Sequence, residues 1–371
     1  MMSASRAPVR QSSVRAHNLA LVLQTVANSA DRPSRAGIAT VTGLTRATVS
    51  ALVDDLIAGG LLTEHDPAPR TGAGRPAAGL ALDPSGPAGL GLEINVDYLA
   101  ACVVDLTGAV RHRIVARGDQ RPPGPVAALA ALGRLADEAR AAAAADGLTV
   151  AGAALAVPGL VTAAGLVRIA PNLGWQDVDA PGLLRAGPAL ADLPIAVDNE
   201  ANFAALGELR AGDEPTFLYV SGEIGIGAGI VLDGELYRGG RGWSGEIGHV
   251  TVFPDGRPCR CGANGCLEQY AGQEAVAADA DLAASALGIA LAAVVNLLDI
   301  GVLVLGGAYA PIFDRLSGGI EAELRRRVLT ADLAPVTLRA ATLGPDAAMR
   351  GAADAVIRAV RDDPAAWLAR T

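Results

Sequence analysis

Residues 245–249 read Gly-Glu-Ile-Gly-His, and residues 259–266 read Cys-Arg-Cys-Gly-Ala-Asn-Gly-Cys. The two segments supply one histidine and three of the chain's four cysteines, which are ligands that a structural zinc ion takes in tetrahedral geometry. Gly262 and Gly265 lie where a chain that wraps around one ion needs tight turns. The sequence therefore predicts one structural Zn²⁺ per chain, bound by His249, Cys259, Cys261 and Cys266.

Two other interpretations of the cysteines remain open. Three buried cysteines can be neighbours without binding a metal, and two of them can form a disulfide. A disulfide would leave one cysteine of the cluster unpaired. Disulfides form in oxidising compartments, and the N-terminus, Met1-Met2-Ser3-Ala4-Ser5-Arg6, has no apolar core of the signal-peptide type. We therefore favour zinc, and we expect a cytoplasmic protein.

The composition is typical of a packed, turn-rich α/β protein. The chain has 371 residues, a hydrophobic content of 51%, 45 glycines and a net charge of −9, and it is long enough for two or three domains. We expect no apolar run long enough to cross a bilayer without interruption, and hence no membrane partner.

Charge is divided unevenly along the chain. Residues 1–82 contain eight arginines and five acidic residues, a net charge of +3, so the remaining residues carry a net charge of −12. A basic N-terminal region in an acidic protein is where a polyanion is expected to bind.

The first sixty residues predict three helices. The first has an apolar face over residues 19–26, the second covers residues 34–41 with Ser34 as its cap, and the third begins at the cap Thr45 and ends before Gly59. The turn at residues 42–44 makes the last two helices a helix-turn-helix, whose second helix enters the major groove with its N-terminal side chains facing the bases. The base-contact candidates are therefore Arg46, Thr48 and Ser50.

A wing is predicted to follow the helices. Residues 61–65 and 80–82 predict its two strands, and residues 70–76 its tip, where Arg75 is placed to enter a minor groove. Arg35 and Arg70 are phosphate-contact candidates by charge alone. The alternative is a helical interaction module whose arginines are only solvated. Turn, caps, wing and arginine tip together favour a winged helix-turn-helix DNA-binding domain over residues 1–82.

From residue 88 the pattern changes to strand-like runs. Residues 89–94, 99–106 and 110–116 predict three successive strands, followed by an alanine-rich helix and a buried strand over residues 126–145 and 150–157. Later strands are predicted near residues 217–220, 226–232, 302–305 and 336–341. This order of elements predicts a layered α/β protein.

These residues resemble the ROK family of repressors, open reading frames and kinases, along nearly the whole chain. The most specific match is the segment at residues 245–249 with the cysteine cluster and Glu268; weaker matches are residues 157–160, 170–173 and 198–202. For residues 83–371 the resemblance implies a two-lobed α/β actin-like fold of the ribonuclease H-like, sugar-kinase and Hsp70 type. Lobe one is expected at about 83–198 with a helix at 346–361, and lobe two, with the zinc loop, at about 199–345.

The resemblance also implies a sugar site. In the family the zinc loop forms one wall of a sugar pocket, and carboxylates and amides bind the sugar hydroxyls. Glu200 here stands at the position of the family's catalytic aspartate. The residues of this chain that match sugar-binding positions are Asn172, Asn199, Glu200, Glu246, His249 and Glu268.

Three departures from the family pattern argue against kinase activity. The first phosphate loop, Asp-x-Gly-Gly-Thr in the family, reads Glu93-Ile94-Asn95-Val96-Asp97 here and lacks both glycines. The second, Gly-Thr-Gly, has a carboxylate at Glu223, and Glu200 displaces the general base by about 1 Å. We therefore expect no catalytic residue, and we interpret Leu305-Gly306-Gly307, which matches the family's adenosine-side motif, as a strand-to-helix turn.

One further departure concerns the helices between Glu268 and Asn296. The family usually has several there, whereas this sequence predicts only residues 273–280 and 282–298 as helical. The shape of the distal lobe, and with it the dimer contact, stays open.

Three hypotheses for the function follow. The first is a sugar-responsive DNA-binding transcriptional repressor, a homodimer or higher homo-oligomer that binds double-stranded operator DNA and a sugar or sugar derivative. The second is an active ATP-dependent sugar kinase that also binds DNA. The third is a ligand-independent regulator whose kinase-like portion serves only for dimerisation. The altered phosphate loops favour the first hypothesis.

Overall fold

A computed structural model describes residues 11–65, 78–222 and 225–370. The N-terminal domain contains three helices and a two-stranded antiparallel sheet: α1 (Gln11–Ala27), α2 (Arg35–Thr42), α3 (Arg46–Ala58), β1 (Leu62–His65) and β2 (Gly79–Leu82). These elements confirm the three predicted helices and the two strands of the wing. The predicted wing tip, residues 70–76, lies outside the described residues.

Local capping sets the geometry of the helix-turn-helix. The side chain of Ser34 accepts a hydrogen bond from the backbone of Gly37, and that of Thr45 accepts one from Thr48, so each helix begins at its predicted cap. Gly43 ends α2 with a φ of 73°, in the left-handed region that glycine adopts at little cost. As a result α2 and α3 meet at an angle of 118°, which is typical of this motif.

The first lobe is built on a five-stranded sheet with the order β10-β6-β3-β4-β5. Strands β3, β6 and β10 are parallel, and β4 is antiparallel to both of its neighbours. A smaller antiparallel sheet, β7-β8-β9, precedes β10 along the chain. The elements are β3 (Pro87–Ile94), β4 (Tyr98–Asp105), β5 (Val110–Arg117), α4 (Gly124–Ala145), β6 (Thr149–Val157), β7 (Leu160–Val161), β8 (Leu166–Ala170), β9 (Trp175–Asp179), α5 (Ala180–Arg185) and β10 (Ile195–Asn199).

The second lobe repeats this topology. Its sheet has the order β15-β14-β11-β12-β13, and read in this direction it has the same succession of two parallel and two antiparallel pairings as the first sheet. Two lobes of this kind, placed after a winged helix, confirm the predicted fold class. The elements are α6 (Glu200–Ala211), β11 (Phe217–Gly222), β12 (Ile226–Leu232), β13 (Glu235–Leu236), α7 (Glu268–Ala271), α8 (Gln273–Ala278), α9 (Ala280–Leu298), β14 (Val302–Gly307), α10 (Phe313–Arg327) and β15 (Thr337–Ala340).

Two helices pack against each other between the sheets. They are α6 and α11 (Ala347–Asp362), and α11 corresponds to the helix predicted at 346–361. A Cβ on Gly91 of β3 would overlap the carbonyl group of Met349, and one on Gly351 would overlap that of Phe203. The missing side chains therefore let α11 approach both β3 and α6 closely. One apolar cluster joins the two lobes through these helices.

The expectation about membrane spans is wrong for one helix. Helix α9 has 19 residues, a mean hydropathy of 1.9 in its most apolar window, and is long and apolar enough to cross a bilayer. Half of that window is buried inside the protein, where Leu287 and Leu291 lie in the core of the second lobe. The high hydropathy is explained by this burial between α7 and α10.

The N-terminal domain shares its core with the C-terminal end of the chain. Ile357 and Val360 of α11 and Trp367 of α12 (Pro364–Leu368) belong to the same buried cluster as Leu23 of α1 and Leu56 of α3. The predicted boundary between residues 82 and 83 falls in the turn between β2 and β3. Because the core continues across it, the division into domains 1–82 and 83–371 stays a prediction.

Candidate functional site

The four predicted metal ligands lie together. Their ligand atoms are all within 4.8 Å of one another, with Cys261 Sγ 3.6 Å from Cys266 Sγ and Cys259 Sγ 3.9 Å from His249 Nδ1. Tetrahedral zinc with bonds of about 2.3 Å to sulfur places its ligand atoms roughly 3.7 Å apart, whereas a disulfide requires about 2.05 Å. All four cysteines are free, so the cluster fits a metal ion and not a disulfide.

Two glycines form the turns of this loop as predicted. Gly262 has a φ of 94° and Gly265 a φ of 73°, and a Cβ on Gly265 would overlap the carbonyl group of Phe253. The backbone of Ala263, together with the thiols of Cys259 and Cys266, lowers the pKa of the Cys261 thiol to about 7, which favours the thiolate that binds metal. Burial raises the pKa of the Cys266 thiol to about 12. One histidine and three cysteines supply all four ligands of a tetrahedral ion, which is typical of a structural zinc site.

The metal loop fixes two carboxylates. Glu268 begins α7 two residues after Cys266, and the backbone of Leu267 donates a hydrogen bond to Val250, just beyond His249. On the other side, Glu246 precedes a 3₁₀ turn at Ile247–His249. The approach of that turn to β12 leaves no room for a side chain at Gly248.

Three of the predicted sugar-binding residues converge. The position that a Cβ would take on Gly225 is 2.9 Å from Glu268 Oε2 and 3.5 Å from Asn172 Nδ2. Asn172 comes from the turn between β8 and β9 in lobe one, so the site lies between the lobes. Desolvation raises the pKa of Glu246; the charge of His249 opposes this increase, and the charge of Glu268 adds to it. Two neighbouring carboxylates and an amide are groups that bind hydroxyls.

Asn199 and Glu200 lie at the start of α6. The side chain of Asn199 accepts a hydrogen bond from the backbone of Ala201, and its Nδ2 donates to the Gly159 carbonyl oxygen at 3.0 Å. Both ends of this amide are therefore used by the protein itself. Glu200 is the half-buried first residue of the helix. Sugar binding by Asn199, Glu200 and His249 stays a prediction.

Two charged residues outside the predicted set adjoin this turn. Asp198, which is 8% exposed, immediately precedes Asn199, and Arg238 follows β13. The Arg238 Nε and Nη2 atoms are 3.0 and 2.9 Å from Asp198 Oδ2. An arginine forty residues from its partner gives no signal in a single sequence, because neither motif nor spacing marks the pair.

The first altered phosphate loop is a tight hairpin between β3 and β4. Glu93 is buried, and its Oε1 accepts a hydrogen bond from the Tyr98 hydroxyl at 2.6 Å. The backbone of Asn95 donates to the Tyr98 carbonyl and closes the turn, on which Asp97 is exposed. Glu223 of the second loop lies outside the described residues. Leu305-Gly306-Gly307 ends β14 before a helical segment, which agrees with a strand-to-helix turn.

The predicted DNA-contact residues differ in exposure. Arg46 is exposed at the start of α3, while Thr48 and Ser50 are half-buried and the Thr48 Oγ1 atom lies 2.8 Å from Thr45 Oγ1. Arg35 is used within the domain, since its guanidinium group contacts Asp54 at 2.6 Å and Glu64 at 3.3 Å. These ion pairs give Arg35 a role within the domain, and a contact between Arg35 and a DNA phosphate stays a prediction. Arg70 and Arg75 lie outside the described residues.

Comparison with known proteins places this geometry in a family. Residues 89–283 match the ROK family. The xylose repressor of Caldicellulosiruptor bescii is 33% identical over 266 residues, which are 70% of this chain and 64% of that repressor. The chain thus spans less than two thirds of the length of this curated relative.

Two solved structures are also similar. A ROK family transcriptional regulator, described as a homolog of the E. coli MLC protein, has a TM-score of 0.80 and 25% identity and covers 96% of this chain and 100% of its own. The ROK hexokinase of Thermus thermophilus has a TM-score of 0.62 and 31% identity, with coverage of 74% and 99%. The match to the regulator extends over the N-terminal domain as well as both lobes. The chain therefore belongs to the ROK family.

Proposed function

We propose that this protein is a sugar-responsive transcriptional repressor of the cytoplasm. The observation that carries the proposal is the union, in one fold, of a winged helix-turn-helix with a cleft where Asn172, Glu246 and Glu268 converge. The likeness to a regulator over 96% of the chain and to a xylose repressor supports it. D-xylose is accordingly the first effector to test.

Residues 1–82 bind the operator in this proposal. Arg46, Thr48 and Ser50 contact base edges from the start of α3, and Arg35, Arg70 and Arg75 contact phosphates or the minor groove. The net charge of +3 on this region, against −12 on the rest, supports its orientation toward DNA.

The cleft binds the sugar hydroxyls. Glu246, Glu268, Asn172, Asn199 and Glu200 accept or donate hydrogen bonds. His249 Nδ1 faces Cys259; if this atom held the zinc ion, Nε2 would carry the proton and could donate to a hydroxyl. The zinc ion would have a structural role here and would hold the loop that carries the two carboxylates.

The response to sugar is a shift between two arrangements of the lobes. A sugar held from both sides of the cleft favours the closed arrangement, because it makes contacts there that the open form lacks. Helix α6 starts at the cleft and packs on α11, which shares a core with the N-terminal domain. Closure is thereby transmitted to the orientation of the winged helix.

A homodimer is part of this proposal, because paired winged helices read half-sites on opposite sides of a symmetric operator. A surface patch supports it: Leu297, Leu298, Leu329 and Leu333 have exposures of 81%, 38%, 91% and 86%. Asn296 joins their two segments through hydrogen bonds of 3.0 Å to Arg327 and Leu329. We name these four residues the leucine surface. Large apolar side chains exposed near one another are typical of a surface that packs against a partner.

The second candidate function, a sugar kinase that also binds DNA, is favoured by one observation, the likeness to a ROK hexokinase. The buried Glu93 and the hairpin without glycines argue against a loop that approaches phosphate. A coupled ADP-release assay with D-xylose, D-glucose and N-acetylated hexosamines decides between the two. Turnover that Glu200→Gln abolishes would establish the kinase.

Operator binding with and without sugars tests the leading proposal. Fragments of the chain's own promoter region are titrated with protein, and the Kd should change by at least tenfold with one sugar of the panel. Arg46→Ala should weaken binding by about tenfold or more, the cost of a lost base contact. Arg134→Ala, an equally exposed arginine on α4, should not. If no sugar changes the operator Kd by more than twofold, the sugar-sensing part of the proposal is wrong.

A further inference from the structure

Arg238 connects two segments that approach the cleft from different lobes. It follows β13 of lobe two, and its guanidinium group contacts Asp198 at the end of β10 in lobe one through two nitrogens, at 3.0 and 2.9 Å. The side chain of Asp198 is 12% exposed and that of Arg238 is 47% exposed. The partner of the arginine is therefore a mostly buried carboxylate. Charge-assisted hydrogen bonds of this kind are stronger than those between neutral groups.

Asp198 in turn holds the first turn of α6. Its Oδ1 accepts a hydrogen bond from the backbone of Asn199 at 2.8 Å and another from Asn202 Nδ2 at 2.8 Å. These donors are neutral amides, so Arg238 is the cation that the described residues place on Asp198. The same turn carries Asn199 and Glu200, two of the predicted sugar-binding residues.

The backbone of Arg238 leads to the opposite wall of the site. Its carbonyl accepts a hydrogen bond from the backbone of Ser244 at 3.3 Å, and the Ser244 hydroxyl donates to the Tyr237 carbonyl at 2.5 Å. Ser244 is two residues from Glu246. The loop at 237–244 is thus closed on itself and fixed on both sides, by Asp198 through a side chain and by the segment of Glu246 through the chain.

A cavity of about 320 Å³ lies beside this ion pair, and its lining includes Asp198, Arg238, Gly242 and residues 161–165. The position of a Cβ on Gly242 would be 3.5 Å from the carbonyl oxygen of Val161, so the loop touches lobe one at a second point.

We propose that Arg238 is a positioning residue that ties the first turn of α6 to the Glu246 segment and thereby sets the affinity of the cleft for its sugar. In this proposal the arginine acts through Asp198 and not by contact with the sugar. Without it, the buried carboxylate of Asp198 loses its counter-charge and the turn with Asn199 and Glu200 loses its anchor to lobe two. This inference rests on the proposed sugar site.

Sugar affinity of the full-length protein tests the proposal, with D-xylose and D-glucose as probes in isothermal titration calorimetry. Arg238→Ala should weaken binding by about tenfold or more, the usual effect of removing a charge-assisted hydrogen bond. Arg238→Lys should recover part of the loss. Arg241→Ala is the matched control, since Arg241 is exposed in the same loop and should stay within twofold of wild type.

A double-mutant cycle separates positioning from general damage. Asp198→Asn should weaken binding by a similar factor, and the combination with Arg238→Ala should weaken it little further, because both changes break one interaction. Melting temperatures and operator binding without sugar should stay near wild type. Additive losses, or binding by Arg238→Ala as tight as wild type, would overturn the proposal.

A measurement without sugar keeps the proposal independent of the proposed function. Amide hydrogen exchange at Ala201 and Asn202 should be at least several-fold faster in Arg238→Ala than in wild type. In Arg238→Lys the exchange rate should be intermediate, and exchange in α9 should be unchanged in both variants. Unchanged exchange in the first turn of α6 refutes the positioning role. If the wild type binds neither sugar but this turn loosens, the sugar function fails and the anchoring role of Arg238 stands.

Discussion

The indole Nε1 of Trp367 donates a hydrogen bond of 2.9 Å to the carbonyl oxygen of Gly59. The last helix of the chain is thereby bonded to the end of the third helix of the N-terminal domain. A Cβ on Gly59 would overlap the side chain of Leu368, so the two helices are in close contact. This contact connects α3 directly to the C-terminal helix.

Trp367→Phe should lower the free energy of unfolding by about 1 kcal/mol through the lost hydrogen bond, and Trp367→Ala by about 3–5 kcal/mol through the added cavity. Urea denaturation measures both. Trp175→Phe is the matched control, because the Trp175 indole is buried but its Nε1 has no hydrogen-bond partner among the described residues. Equal losses in the two phenylalanine variants would show that the hydrogen bond contributes nothing.

Zinc analysis should return one ion per chain, and Cys261→Ser should reduce that stoichiometry. Metal-binding free energy is local folding free energy, so loss of the ion should loosen Glu246 and Glu268 and abolish the sugar response before operator binding is lost. Inductively coupled plasma mass spectrometry and operator titrations check this. Cys102→Ser, at a buried cysteine in β4, should keep the ion; much less than one zinc in wild type contradicts the prediction.

Charges placed on the leucine surface should change the oligomeric state. Leu329→Glu with Leu333→Glu should convert the assembly to a smaller species in light scattering, because buried carboxylates without partners are costly at an interface. Val126→Glu, on the exposed face of α4 at 64% exposure, serves as the control and should leave the mass unchanged. An assembly that keeps its mass in the double variant uses another surface.

Asp354 should make stability depend on pH. Burial raises its pKa to about 6, against the opposing effect of arginines such as Arg210. Because the folded state then binds this proton more tightly than the unfolded state, with its pKa of about 3.9, the contribution of Asp354 to stability increases as the pH falls from about 7 to about 4. The expected gain is on the order of 2 kcal/mol.

The comparison that isolates this effect is wild type against Asp354→Asn. Urea denaturation across the same pH range should show wild type gaining stability relative to the variant on acidification. A difference that stays constant with pH would mean that Arg210, whose Nε lies 3.1 Å from Asp354 Oδ1, keeps the carboxylate ionised throughout.

Local chemistry made much of the fold predictable. Ser34 and Thr45 mark the starts of α2 and α3, and the alternation around residue 90 marks the first sheet. Strands β7 to β10 are missed, because they have only two to five residues and β8, β9 and β10 contain polar side chains. Their positions depend on tertiary packing. For example, a side chain at Gly159 would overlap the backbone of β8.

The candidate site also contains residues that the sequence identifies and residues that it does not. The metal ligands form a compact motif, so spacing alone identified residues that the structure brings within 4.8 Å. Asn172 joins Glu268 only through the closure of one lobe on the other, and a family resemblance was needed to name it. Asp198 lies in the segment 198–202 that resembles the family, but Arg238 belongs to no motif, and sequence spacing does not reveal that the two are linked across two sheets.

The core that Trp367 completes has a consequence for synthesis. N-terminal domains of most proteins fold while the rest of the chain is still being made, but here Trp367 of α12 is buried in the same cluster as Leu23 and Leu56 of the first domain. That core cannot close until α12 has been made. A variant truncated before α12 would therefore leave apolar side chains of the first domain exposed to water.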